Sequence, residues 1–380
     1  MLANFNKILI NIYLIVMLLS IYMPIKESML YLLVLMNTYF FIQFLIYLKK
    51  ENFKINMYFL IVFSSLIISI AMSGKYFYYS LVNLLVISAI YYIVEFDFKY
   101  LLDRLRIYIF ISTAVNFYFY FTLKPDYSGA KVVSGILIER VQLDFLPLSI
   151  TSILALLTFV LSDSLRSKLL VYTLKFMSIL LIIHLGKLSV IATLLLTYSS
   201  FFLLKLFYNK TTKYYMNTIY IGIYVLIYIF VFLLFIFGDS MPPEIIQLLT
   251  LRDQIYSAFI QYSLDNNTIL FGNGYINNFT YITDLTTSAH NQYLNIFFIL
   301  GIFGYIVFII FFIKILLNTL HGVEKGSYMP FKVFFSISLL MTMDNYFILT
   351  VFPLTMIFML LFLLKLSPSK TNYNNIGVFK

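Results

Sequence analysis

The chain carries a dozen stretches too continuously apolar for water to be their solvent, near 7–23, 28–48, 57–73, 76–94, 107–122, 145–161, 169–185, 188–207, 217–237, 291–317, 331–343 and 346–364. A helix rises ~1.5 Å per residue, so roughly 20 apolar residues cross the ~30 Å hydrocarbon core of a bilayer. Inside that core each backbone N–H and C=O must be satisfied within its own segment, which a helix achieves and an open sheet edge does not. The expected fold is therefore an all-α polytopic membrane protein of about twelve transmembrane helices. Composition agrees, with 62% of the 380 residues apolar and 11% charged, against about 25% charged in soluble domains. A water-exposed globule, a disordered tail and a nucleic-acid-binding domain are excluded on that ground. The first run has no cleavage-site pattern and is followed by further spans, so it reads as a retained helix rather than a signal peptide.

The net charge of +10 is then a topology signal. With the N-terminus cytoplasmic, eighteen basic residues fall in inside segments and seven outside: Lys26, Lys75, Lys124, Lys131, Arg140, Lys187 and Arg252, with Lys175 inside a span. This satisfies the positive-inside rule with both termini cytoplasmic. Asp344 and Asn345 interrupt the last apolar stretch and are read as a hairpin between two short helices. A single kinked helix there would leave eleven spans and an external C-terminus, against which the basic tail argues. The organisation is spans one to nine over 1–237, an outer segment over 238–290, spans ten to twelve over 291–366, and a cytoplasmic tail over 367–380. No cysteine is present, so disulfides and thiolate chemistry are excluded.

Two outer segments are long enough to hold a site, 123–144 and 238–290. The second carries a helix-like pattern from Ile245 through Ile260, and a connection that long in a compact bundle is usually functional. Within and just after it lie Arg252 and Tyr256, the turn Phe271-Gly272-Asn273-Gly274, the run His290-Asn291-Gln292-Tyr293-Leu294 and the helix motif Leu300-Gly301-Ile302-Phe303-Gly304.

This constellation over roughly 250–306 resembles the O-antigen ligase and polymerase superfamily. Family members often carry a Ser-Arg pair in a short outer turn, where this chain has Gly186-Lys187-Leu188-Ser189, and a Trp where it has Tyr256. The resemblance implies transfer of a glycan from an undecaprenyl-diphosphate-linked oligosaccharide to an acceptor hydroxyl at the outer face of the bacterial inner membrane. It also implies a polysaccharide chain-length regulator as partner. The expected activity is repeat-unit polymerisation for O-antigen or capsule. An O-antigen ligase acting on lipid A-core, and a flippase for the same lipid-linked glycan, stay open as alternatives.

The chemistry of the residues leads the same way. A diphosphate leaving group needs cations, and Arg presents a planar, permanently charged fork to phosphate oxygens. Arg252 and Arg140 are assigned to it, with Lys187 as a third cation. His290 is assigned as general base, because imidazole accepts a proton near neutral pH. The helix N-terminus beginning near Asn291 would oppose imidazolium and keep the ring neutral. Asn291 and Gln292 are assigned to sugar hydroxyls, and Tyr256 to the substrate-binding set. Gly272 and Gly274 are expected to shape a turn, with their amides offered to phosphate; Gly301 and Gly304 are expected to allow close helix packing. No pair of outer acids of the Asp-x-Asp type is apparent, so neither a metal nor another cofactor is expected. His184 and His321 read as a helix-end and a loop residue.

Overall fold

A computed structural model describes residues 2–20, 26–51, 63–64, 67–68, 71, 77–123, 126–133, 136–142, 148–208, 212–237, 252–274, 292–324 and 326–342. The described helices are α1 Leu2–Leu19, α2 Lys26–Lys50, α3 Phe77–Thr122, α4 Leu148–Ser162, α5 Lys168–His184, α6 Leu188–Phe207, α7 Lys213–Phe237, α8 Arg252–Asp265, α9 Gln292–Glu324 and α10 Met329–Met341. Ser28–Lys50, Leu188–Phe207 and Tyr293–Val323 are long and apolar enough to cross a membrane; Asn4–Leu19, Ile150–Ser162 and Met329–Met341 are shorter apolar helices. The expected runs at 346–364 and, apart from a few residues, at 57–73 lie outside the described residues.

Two features depart from the all-helical expectation of separate spans. The segment 123–144, expected on the outer side, holds an antiparallel hairpin, β1 Asp126–Val133 and β2 Ile136–Gln142, with a register shift between Tyr127 and Gly129. The runs at 76–94 and 107–122 are joined in one 46-residue α3, broken only at Asp97, whose backbone is extended (φ −158°, ψ 82°). The break is a helix restart. Asp97 Oδ1 accepts from Tyr100 N at 3.1 Å, as an N-cap does for the exposed amides of a first turn. Lys7 Nζ lies 2.9 Å from the other carboxylate oxygen.

Packing follows the small polar groups scattered through the apolar helices. In the N-terminal part, Asn6 Nδ2 donates to Tyr92 OH (3.0 Å), Tyr39 OH donates to Asn6 Oδ1 (2.9 Å) and Tyr13 OH donates to Asn37 Oδ1 (2.9 Å), so α1, α2 and α3 are cross-linked by mutually satisfied polar groups. Phe40 packs edge-on against both Tyr13 and Tyr39 in the same interface. Further along, Thr113 and Thr158 hydroxyls meet at 2.7 Å between α3 and α4, and Thr197 and Ser336 at 3.1 Å between α6 and α10. Such pairs give apolar helices a specific register where hydrophobicity alone gives none.

α10 is the centre of the C-terminal part. Every residue from Phe331 to Ser338 is buried, and the helix packs against α4, α6 and α9. Helix α9 is anchored to it by Tyr293, whose hydroxyl donates to Ser338 O at 3.0 Å. That bond fixes the end of α9 next to which the sequence places His290.

Candidate functional site

The expected outer site spans α8, the turn that follows it, and the start of α9. Arg252 and Tyr256 lie one turn apart at the start of α8. The helix closes after Asp265 with Asn267 in the left-handed conformation (φ 54°). Thr268 N donates to Ser263 O at 2.9 Å and Asn267 N to Leu264 O at 3.0 Å, the paired bonds of a Schellman cap with Asn in glycine's usual place. The cap turns the chain straight into Phe271-Gly272-Asn273-Gly274.

That turn is inserted into α9. Gly301 has φ 68° and ψ −171°, and the helix is interrupted there. In an unbroken helix Ile302 N would donate to Phe298 O and Phe303 N to Ile299 O. Instead Ile302 N donates to Ile269 O (2.9 Å) and Phe303 N to Leu270 O (3.2 Å), while Phe298 O accepts from Asn273 N (2.8 Å) and Ile299 O from Gly274 N (3.1 Å). Two intrahelical bonds are exchanged for four bonds between segments, leaving no orphaned donor or acceptor among these eight groups.

Both central glycines are required by this exchange. A Cβ on Gly301 would lie 2.5 Å from Gly272 N and closer still to the Leu270 carbonyl; one on Gly272 would lie 2.6 Å from Gly301 N and closer still to the Ile299 carbonyl. Gly304 completes the joint, since the break brings the Leu300 side chain onto it. Close packing is thus what the structure contains, at Gly301 between a turn and a helix rather than between two helices, and at Gly304 within α9 itself, against Leu300. The proposed phosphate role of Gly272 and Gly274 is corrected: Gly272 N donates to Thr268 O at 2.6 Å and Gly274 N to Ile299 O, so neither amide is available to phosphate.

Asn273, the residue between the glycines, was missed by sequence reasoning. Its Oδ1 accepts from Thr268 Oγ1 (2.6 Å), and its Nδ2 donates to Ser263 Oγ (2.9 Å) and to Phe298 O (3.3 Å). One side chain therefore ties the end of α8, the turn and α9 together. Phe259 packs on Phe298 with ring centroids 4.9 Å apart, and Tyr262 on the same ring at 5.8 Å. Tyr256 is three residues from Phe259 on α8 and Gln292 six from Phe298 on α9, about 4.5 and 9 Å of helix from a shared anchor. Gln292 is the first residue of α9, while His290 and Asn291 lie outside the described residues.

Arg140 lies in β2, paired in register with Gly129 of β1. Lys187 occupies the turn between α5 and α6, after Gly186 (φ 61°), and its carbonyl accepts the first α6 amides, from Val190 (3.0 Å) and Ile191 (3.3 Å). Lys187 is buried. A buried cation at a helix N-terminus is opposed by the helix dipole, and both features attract an anion. One turn earlier His184 packs its ring against Phe121 at 4.7 Å, consistent with the helix-end reading.

A second polar centre was not anticipated. Asp163, just past α4, takes an ion pair from Lys175 of α5 and another from Lys332 of α10 (2.6 Å), and accepts from Tyr198 OH of α6 (3.1 Å). Lys332, expected among the cytoplasmic loop charges, is instead buried within α10, with its ammonium 3.9 Å from the Phe201 ring centroid. Burial alone would push the Asp163 carboxyl up, but the hydrogen-bonded ammoniums of Lys175 and Lys332 outweigh it and hold the carboxyl below the ordinary carboxylate value. Lys175 and His184 are nine residues apart, about 13.5 Å of helix, so this centre and the Lys187 turn are separate places along α5. The available clue was an ionisable residue inside an apolar run, rare unless paired.

A scan against protein-family models matched no family, and a search of curated proteins returned no match.

Proposed function

We propose that the chain is a glycosyltransferase of the bacterial inner membrane that polymerises undecaprenyl-diphosphate-linked oligosaccharide repeat units into O-antigen or capsular polysaccharide. In this reading it has twelve spans with both termini cytoplasmic, and α8 with its turn belongs to the periplasmic segment. The observation that carries the proposal is the joint between Phe271–Gly274 and Leu300–Gly304. Two motifs that are separate in the sequence form one rigid unit, and that unit ties the helix bearing Arg252 to the helix that follows His290.

The reaction is a displacement at an anomeric carbon. The acceptor sugar hydroxyl loses its proton to His290, its oxygen bonds to the anomeric carbon of the donor, and the bond from that carbon to the diphosphate breaks. Undecaprenyl diphosphate departs with the bonding pair. Arg252 and Arg140 neutralise the departing diphosphate, with Lys187 as a third cation. Dispersed cations of this kind supply the stabilisation of developing charge for which other transferases use a divalent metal. Donor and acceptor both carry a diphosphate in polymerisation, which calls for two cationic subsites and so for more than one of these residues. Asn291, Gln292 and Tyr256 contact sugar, and a chain-length regulator is the proposed partner.

The test is purified protein in liposomes with undecaprenyl-diphosphate repeat units, read as products longer than one repeat. Elongation without another acceptor supports polymerisation. Transfer only when lipid A-core is added makes the protein a ligase, and lipid translocation without a new glycosidic bond makes it a flippase.

A further inference from the structure

Beside the Asp163 centre runs an apolar groove of ≈ 560 Å³ lined by Phe159 of α4 and by Leu194, Leu195, Tyr198, Phe202 and Leu203 of α6. From Leu194 to Leu203 it extends about 13 Å along the helix axis, close to half of the ~30 Å hydrocarbon core and so to the depth of one leaflet. The groove and the charged centre share two side chains. Lys175 Nζ sits 5.1 Å from the Phe159 ring centroid and 5.8 Å from that of Tyr198, and both rings line the groove.

Charge at this end is unbalanced. Asp163 is the acceptor for both Lys175 and Lys332, and exposed Lys205, two residues beyond Leu203, is close enough for its charge to act on Lys332. Two ammoniums thus share one carboxylate, whose oxygens also serve Tyr198, and Lys205 adds a third positive charge nearby. Lys332 is spent inside the bundle, with its side chain 8% exposed, whereas Lys175 keeps 24% of its side chain open. An apolar channel about one leaflet deep, with Lys175 against its wall and Lys205 beyond its Leu203 end, matches an acyl chain attached to an anionic headgroup. A zwitterionic lipid would bring a further ammonium to a site that already has too many.

We infer that this groove holds one anionic phospholipid of the leaflet on the Asp163 side, its acyl chain along Leu194–Leu203 and its phosphate on Lys175 and Lys205. The inference rests on the membrane placement of the bundle and not on glycosyl transfer. It concerns the Asp163 centre, about 13.5 Å of helix from the end of α5 that leads into the Lys187 turn, so its failure and that of the transfer reading are separable.

The experiment is native mass spectrometry of the full chain released from detergent, titrated with phosphatidylglycerol or phosphatidylcholine of identical acyl chains. The expected result is one phosphatidylglycerol retained at least tenfold more tightly than phosphatidylcholine. A surface lysine near anionic lipid changes binding by about fivefold, so Lys205→Gln alone should cost about that factor. Lys175→Gln with Lys205→Gln should bring phosphatidylglycerol down to the phosphatidylcholine level. Ser199→Trp, which fills the groove, should release the lipid with both lysines in place. Equal retention of the two lipids, an unchanged preference in Lys205→Gln, or a dimer mass that added lipid does not disperse would overturn the inference.

Discussion

Replacing Gly301 by Ala tests the joint on which the transfer reading depends. The added Cβ meets backbone atoms of Leu270 and Gly272, which have no rotamer through which to escape, and φ 68° with ψ −171° is a combination that only glycine adopts readily. Holding Ala in place costs about 1–3 kcal/mol in backbone strain before the overlap is counted. The alternative is release of the turn. That loses four bonds between segments, recovers two intrahelical ones and gains about 1 kcal/mol from Ala over Gly in a helix. The bonds lost on undocking, those of the Asn273 side chain included, are the same for Gly and Ala and cancel, so the strain relieved and the propensity gained together make undocking easier by roughly 3 kcal/mol. The readout is hydrogen exchange of a peptide covering 269–274, whose protection should fall about 100-fold while α1–α3 are unchanged. Transfer activity should fall with it. Gly222→Ala is the control, because its Cβ meets open space and only helix propensity changes. Unaltered protection of 269–274 in Gly301→Ala would refute the exchange of hydrogen bonds described for this joint.

Asn273→Ala should lower thermal stability by about 1–3 kcal/mol, because removing its side chain leaves Ser263 Oγ and Thr268 Oγ1 without that partner; a melting curve in detergent checks it. Asp163→Asn leaves the buried Lys332 ammonium without its counter-charge and should destabilise by about 3–5 kcal/mol in denaturant unfolding. Because the Asp163 carboxyl is held below its unfolded value of about 3.9, its contribution is complete above that pH and disappears as pH falls through the folded value. Stability of the native chain should therefore drop on acidification, and Asp163→Asn should remove that part of the slope. His290→Ala and Arg252→Ala should each reduce the transfer rate by about 10²–10⁴ without shifting the melting temperature, and activity should survive EDTA.

The helices were legible because lipid forces backbone hydrogen bonds inward, and an apolar run then has no stable form but a helix. The continuity of α3 was not legible. Glu95, Asp97, Lys99, Asp103, Arg104 and Arg106 read as a solvated connection, yet Asp97 caps the next segment and Arg106 pairs with Asp103 one turn away along the continuing helix. The hairpin was hidden for another reason: its strands are short, one carries a register shift, and their alternation is weak beside the apolar runs. At the site, each glycine motif was visible by itself. Their interlocking was not, because spacing does not disclose that Gly272 and Gly301, 29 positions apart, occupy each other's Cβ space. The Asp163 centre escaped in the same way, since Lys332 is 169 positions distant and Lys175, though inside a span, does not by itself disclose its partner.

The most direct measurement is a glycan ladder from purified protein and undecaprenyl-diphosphate repeat units in EDTA, run side by side for the native chain, His290→Ala and Arg252→Ala. A polymerase using the outer site gives a ladder with the native chain and none with either variant. A ladder of undiminished intensity in both variants, or none from the folded native protein with either a second repeat unit or lipid A-core as acceptor, contradicts the account.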